Sequence, residues 1–200
     1  PGGDSKIHKG VTTEVVGNCG YSPFTVGPAG HGILKSSPNE NFEWNWRDLD
    51  GWASQLESQG VSMNVAPQLG HGSIRKAARL TEDRCPSRDE LKTMRRLVEE
   101  SIEQGAFSMS TGLTGAPGMY ADTDEIVALA EVMAGYDNAF YVTHARVWGG
   151  NHIGAIQEAM EIGFRAQVPV QFSHMAIIDP RAYGDGEQML DAVSYTHLRA

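Results

Sequence analysis

The chain has 200 residues, 40% of them hydrophobic and 20% charged, with a formal net charge of −9. That is room for one ordinary globular domain with a sizeable core, and the negative balance disfavours a nucleic-acid surface, which is normally basic. No apolar run is long enough to span a bilayer and no segment resembles a leader, and two cysteines make no disulfide framework, so a reducing cytoplasm is the expected compartment.

In chain order, residues 11–17 are rich in Thr and Val and read as a strand, which delivers Cys19 onto a bend between Gly17, Asn18 and Gly20. Residues 61–66 (VSMNVA), 106–110 (AFSMS), 139–143 (AFYVT) and 168–172 (VPVQF) read as four more strands. Helices lie between them. Ser87 and Glu90 form a capping box, and Leu91, Met94, Val98 and Ile102 make one apolar stripe that stops at Gly105. Asp122 or Thr123 caps a second helix with Ile126, Leu129 and Met133 inward and Gly135 at its end; residues 151–164 repeat the plan with Ile153, Ile156 and Met160. The similar stretches GHGILK at Gly30 and GHGSIRK at Gly70 are expected to be turns, since neither clearly opens a helix as a phosphate loop does.

Strands alternating with helices predict a parallel sheet with right-handed crossovers, and mostly apolar strands predict burial on both faces. About five strand–helix units fit either an open doubly wound sheet or part of an eight-unit barrel. The absence of a Gly-x-Gly-x-x-Gly after the first strand lowers the dinucleotide-binding reading.

In such folds chemistry sits at the carboxyl ends of the strands. Those ends present Cys19, then Pro67 and His71, then Ser110 and Thr111, then His144 (YVTHAR) and His174 (QFSHMA). His144 and His174 stand about one strand–helix–strand period apart, which places them side by side on one rim. One thiolate and two imidazoles are three ligands for a tetrahedral zinc with its fourth position open. The bland readings are a small buried cysteine and two hydrogen-bonded structural histidines. Trp44, Trp46 and Trp52 are expected to pack under a loop and along the next helix. His8, His31 and His152 are assigned to surface or turn positions, Cys85 to structure, and Glu99, Glu100 and Glu103 to a solvated helix face.

The stretches GVTTEVVGNCGYSP, NVAPQLGHGSIR, FSMSTGL…APGMYADTDE, YVTHAR and VPVQFSH, in this order, resemble the D-aminoacylases (N-acyl-D-amino-acid deacylases) of the metal-dependent amidohydrolases. The resemblance runs from about Gly10 to Ala192. It implies a fragment of a (β/α)8 TIM-type barrel, incomplete at both ends, and zinc-dependent hydrolysis of the amide of a small N-acyl-D-amino acid. It implies Zn2+ on Cys19, His144 and His174, with Gly17 and Gly20 turning the sulfur inward, and a thiol pKa lowered by a helix N-terminus or by the metal. The family's His-x-His pair and its proton-transferring aspartate would lie upstream of Pro1 and beyond Ala200, so residues 1–192 alone are expected to be inactive. Ala176 stands where the family often has Lys, Gly115 where it often has Tyr, and RVWGG where it often has an acidic residue; these departures leave the acyl and side-chain preference open. The alternatives are an amidohydrolase acting on a cyclic amide and a catalytically silent metal-binding barrel domain. Residues 193–200 (VSYTHLRA) carry a decoy, Thr196-His197-Leu198-Arg199, that mimics the surroundings of His144. They resemble the translation of a sequencing-library adapter, so His197 is expected to have no role.

Overall fold

The computed structural model describes residues 3–25, 45–175, 177 and 179–197. A short helix, α1 (Asp4–Ile7), precedes β1 (Thr13–Val16). There follow α2 (Leu49–Gln59), β2 (Asn64–Gly70), α3 (His71–Ala77), α4 (Arg88–Glu103), β3 (Ser108–Gly112), α5 (Thr123–Met133), β4 (Phe140–His144), α6 (His152–Ala166), β5 (Val170–Phe172) and α7 (Gly186–His197).

The five strands pair in parallel and in chain order, β1-β2-β3-β4-β5. A doubly wound sheet reverses its strand order at a switch point; this one does not, so each crossover steps the same way. The helices accordingly pack on one another in sequence: α3 on α4, α4 on α5, α5 on α6, α6 on α7. Burial on both faces holds for the central strand β3, whose Ser108–Thr111 are all buried. It fails for β1 and β5, which alternate between exposed and half-buried positions.

Strand β2 starts later and runs further than residues 61–66. Its first half pairs with β1 (Asn64–Pro67 opposite Thr13–Val16) and its second half with β3 (Gln68–Gly70 opposite Ser108–Ser110). Pro67 sits where the partner changes, and its carbonyl still accepts from the Phe107 N–H. The missing N–H is tolerated at that seam.

Helix α4 has the expected capping box: Ser87 Oγ accepts from the Glu90 N–H at 3.3 Å and Glu90 returns to the Ser87 N–H at 2.7 Å. Met94, Val98 and Ile102 are buried with Met109, Ile126, Leu129, Met133 and Tyr141 in one apolar cluster, while Leu91 packs at its edge. Each such side chain contributes roughly 1.5–3 kcal/mol when fully buried. On α6 the inward face is Ala155, Ile156, Ala159 and Ile162, one step round from the expected stripe, and Met160 is only half-buried.

Three local expectations are corrected. GHGSIRK is no turn: His71 directly opens α3, with Gly70 as its N-cap, and Gly70 packs so closely on Gly20 that a Cβ would lie 2.6 Å from the Gly20 carbonyl oxygen. His152 is not at the surface; it is the first residue of α6 and 3% exposed, its Nδ1 donating to the Gly150 carbonyl at 3.0 Å. Cys19 lies in a bend after β1, not in the first turn of a helix. Trp46 and Trp52 are buried as expected; Trp46 Nε1 donates to the Pro23 carbonyl at 2.6 Å and Trp52 stacks on Phe24. Trp44, His31, the GHGILK stretch and Ala176 lie outside the described residues, as do the side chains from Tyr195 onward.

Candidate metal centre

Cys19 follows β1, His144 ends β4, and His174 lies just beyond β5. Although β1 and β5 are not sheet neighbours, curvature brings their ends together, and Ser173 donates to the Asn18 side-chain oxygen at 3.0 Å. Among the described residues, Cys19, His144 and His174 form the one group able to hold a metal, their donor atoms all within 4.8 Å of one another. Cys19 Sγ lies 3.7 Å from His174 Nε2, and His174 Nε2 lies 2.6 Å from His144 Nδ1. The rings meet edge to face, 4.6 Å between centroids.

The backbone is bent to achieve this. Cys19 has φ 55° and His174 φ 30°, a region that side chains other than glycine's rarely adopt. Gly17, at φ 91°, passes so close to β2 that a Cβ would lie 2.0 Å from the Gln68 carbonyl oxygen. Ser110 of β3 locks the bend: its hydroxyl donates to the Gly17 carbonyl and accepts from the Gly20 N–H.

For tetrahedral zinc with bonds of about 2.0–2.3 Å, sulfur and nitrogen ligands stand about 3.6 Å apart and two nitrogens about 3.3 Å. The Cys19–His174 separation fits. The two imidazoles, in hydrogen-bond contact, would have to part by about 0.7 Å to admit an ion. Burial pushes the Cys19 thiol up, so the metal itself must displace that proton. Burial, and then the charge of His174, lowers His144, which favours the neutral imidazole that ligation needs.

Two further residues support the cluster that sequence reasoning did not single out. Thr114 Oγ1 lies 2.8 Å from His144 Nε2, and Asn18 ties the Cys19 bend to the β5 end. Thr114 lies one residue beyond the FSMSTGL stretch, and Asn18 lies inside GVTTEVVGNCGYSP as part of the bend, with nothing there to mark its tie to the β5 end. A cavity of about 590 Å3 opens beside both histidines and is walled by Trp148, His152, Phe172 and Met189. It lies at the carboxyl ends of β4 and β5.

His71, by contrast, faces away from the cluster. Its Nε2 lies 2.8 Å from Glu125 Oε1, Arg75 donates to Glu125 Oε2 at 2.5 Å, and all three side chains are fully buried. Cys85 is exposed and its Sγ donates to Asp122 at 3.1 Å.

No family model matches the chain. It is 33% identical over 192 residues to the N-acyl-D-aspartate deacylase of Alcaligenes xylosoxydans xylosoxydans, covering 94% of this chain and 38% of that protein. It is 29% identical over 194 residues to the D-aminoacylase of the same organism, covering 97% and 40%. The crystal structure of the N-acyl-D-glutamate deacylase from Bordetella bronchiseptica, complexed with zinc and a phosphonate mimic of the tetrahedral intermediate, superposes with a TM-score of 0.87 at 27% identity, over 98% of this chain and 41% of that one. A D-aminoacylase structure described as having a binuclear metal centre gives 0.85. The sheet thus matches a segment of these proteins' barrel, and the chain spans about two fifths of the relatives it matches.

Proposed function

From this kinship with the D-aminoacylases, we propose that the chain is the metal-holding segment of an amidohydrolase that cleaves the amide bond of small N-acyl-D-amino acids. The observation that supports this reading is the meeting of Cys19, His144 and His174 at three strand ends. When bound, zinc supplies a Lewis acid for the amide carbonyl and a water acidified from about 16 to about 7.

This chain's own residues do the rest of the positioning. Cys19, His144 and His174 would hold the ion at the carboxyl ends of β1, β4 and β5. Ser110 fixes the sulfur through the bend, and Asn18 and Ser173 hold the β1 and β5 ends at one distance. The walls of the adjoining cavity, Trp148 and Phe172 among them, exclude water from one side of the substrate. The resemblance assigns proton transfer to an aspartate that is not among these 200 residues. Residues 1–192 as barrel, residues 193–200 as adapter translation, and the cytoplasm as compartment belong to the same reading; no described helix is long and apolar enough to cross a membrane.

The test is a complete barrel carrying residues 10–192, stripped of metal and assayed on N-acetyl-D-amino acids. Hydrolysis is expected to vanish on chelation and return with zinc. Full turnover by the metal-free protein would rule the reading out.

A further inference from the structure

We infer that Thr114 is the positioning residue of the metal centre: its hydroxyl accepts a hydrogen bond from the Nε2–H of His144 and so keeps the Nδ1 lone pair turned toward Cys19 and His174. This rests on the metal reading above and adds a residue to it.

The argument begins with imidazole. A neutral ring has one N–H, and the nitrogen that ligates must be the other one. His144 Nδ1 is the atom within 2.6 Å of His174 Nε2, on the side of the thiol. With a metal on Nδ1 the ring proton sits on Nε2, and there it meets Thr114 Oγ1 at 2.8 Å. A partner on the distal nitrogen of a ligating histidine fixes both its tautomer and its ring angle.

Thr114 is itself held. It lies in the loop after β3, where the Leu113 N–H donates to the His144 carbonyl at 3.0 Å, tying the loop to the residue it serves. The Tyr21 hydroxyl donates to the Ala116 carbonyl at 2.6 Å, and Arg146 donates to the Met119 and Ala121 carbonyls. Thr114 is half-buried, and a β-branched side chain has few rotamers to choose from. The hydroxyl is therefore placed before the metal arrives.

The experiment uses the 200-residue chain, zinc competition titrations and nitrogen-edited NMR of the histidine rings. Thr114→Val keeps the shape and removes the acceptor; it is expected to weaken zinc binding by about 10–100-fold. The zinc-loaded wild type should show a protected His144 Nε2–H that is lost in Thr114→Val and restored, with the affinity, in Thr114→Ser. A merely structural threonine would instead move the urea midpoint of the metal-free chain, which is expected to stay put. Should Val be poorly folded, Thr114→Ala gives the same comparison. Zinc bound as tightly by Thr114→Val as by wild type, or a zinc-loaded His144 with its proton on Nδ1, would overturn the inference alone. A wild-type chain that binds no zinc would remove it together with the metal centre.

Discussion

His71 and His144 each close a parallel strand or begin just after one, and each is followed closely by an arginine, Arg75 and Arg146. Their fates are opposite. His71 passes straight into α3, so its ring is carried under the helix layer and meets Glu125 of α5, which Arg75 also grips; nothing of the three reaches solvent. His144 is followed by a loop, residues 145–151, before α6 begins. Its ring stays at the rim and faces a second imidazole and a thiol. One group is closed by its own carboxylate and already charge-compensated. The other is a thiol and two imidazoles on a strained backbone. On the proposed reading, that is the difference between a histidine that holds a fold together and one placed to receive an ion.

The sharpest way to break this contrast is Glu125→Ala. It strands a buried arginine, and urea denaturation of the metal-free chain should show a loss of about 3–5 kcal/mol. An unchanged midpoint would mean that the buried trio does not hold the fold. Second in size is Cys19→Ala. Zinc affinity, read by competition with a chelating dye, is expected to fall by at least about 100-fold, whereas the metal-free urea midpoint shifts by no more than about 0.5 kcal/mol. Cys19→Gly relieves the φ of 55° and should leave the metal-free chain at least as stable as wild type. If either variant unfolds the chain, the rim is as structural as the interior and the contrast fails.

Gly17→Ala comes next. Its Cβ would strike the Gln68 carbonyl, and with φ at 91° no rotamer avoids the clash. We expect more than about 1 kcal/mol of destabilisation, with faster amide exchange along β1 and the adjoining half of β2. A neutral result would show that the bend adapts freely.

The smallest effect belongs to a surface pair that serves neither cluster. Arg84, and after it the Ser87 N–H, hold the Glu90 carboxyl at about 2, down from 4.5. A depressed carboxyl stabilises the fold above its unfolded value and ceases to as pH falls through its folded one. Between about pH 4.5 and 2 the wild type should therefore lose stability more steeply than Glu90→Gln. Parallel acid profiles for the two proteins would contradict this.

Much of the architecture was legible because its signals are local. Ser87 with Glu90, Asp122 before Thr123, and the Met94–Val98–Ile102 spacing are each written within a single turn or two of helix. The ends of β2 were not, because Pro67 and Gly70 look like stops; only the change of partner from β1 to β3 makes them acceptable inside a strand. The sequence around His152 suggests only a surface or turn position, since nothing in its neighbours announces the cavity wall it joins. At the rim, the strand ends point to Cys19, His144 and His174 because parallel α/β topology is periodic. Thr114 and Asn18 act through distances between loops, and no spacing along the chain encodes those.

The hydrogen-bonded contact of Cys19 with His174 spans 155 positions of the chain. An ion held by both, as proposed, would therefore be more than a reagent: it would tie β1 to β5, as a reversible staple. By loop-closure entropy, a tie over that length removes about 5 kcal/mol of freedom from the unfolded ensemble. Metal loading and folding of this segment would then be one equilibrium seen from two ends, and a chelator would act on the loaded chain as a denaturant does.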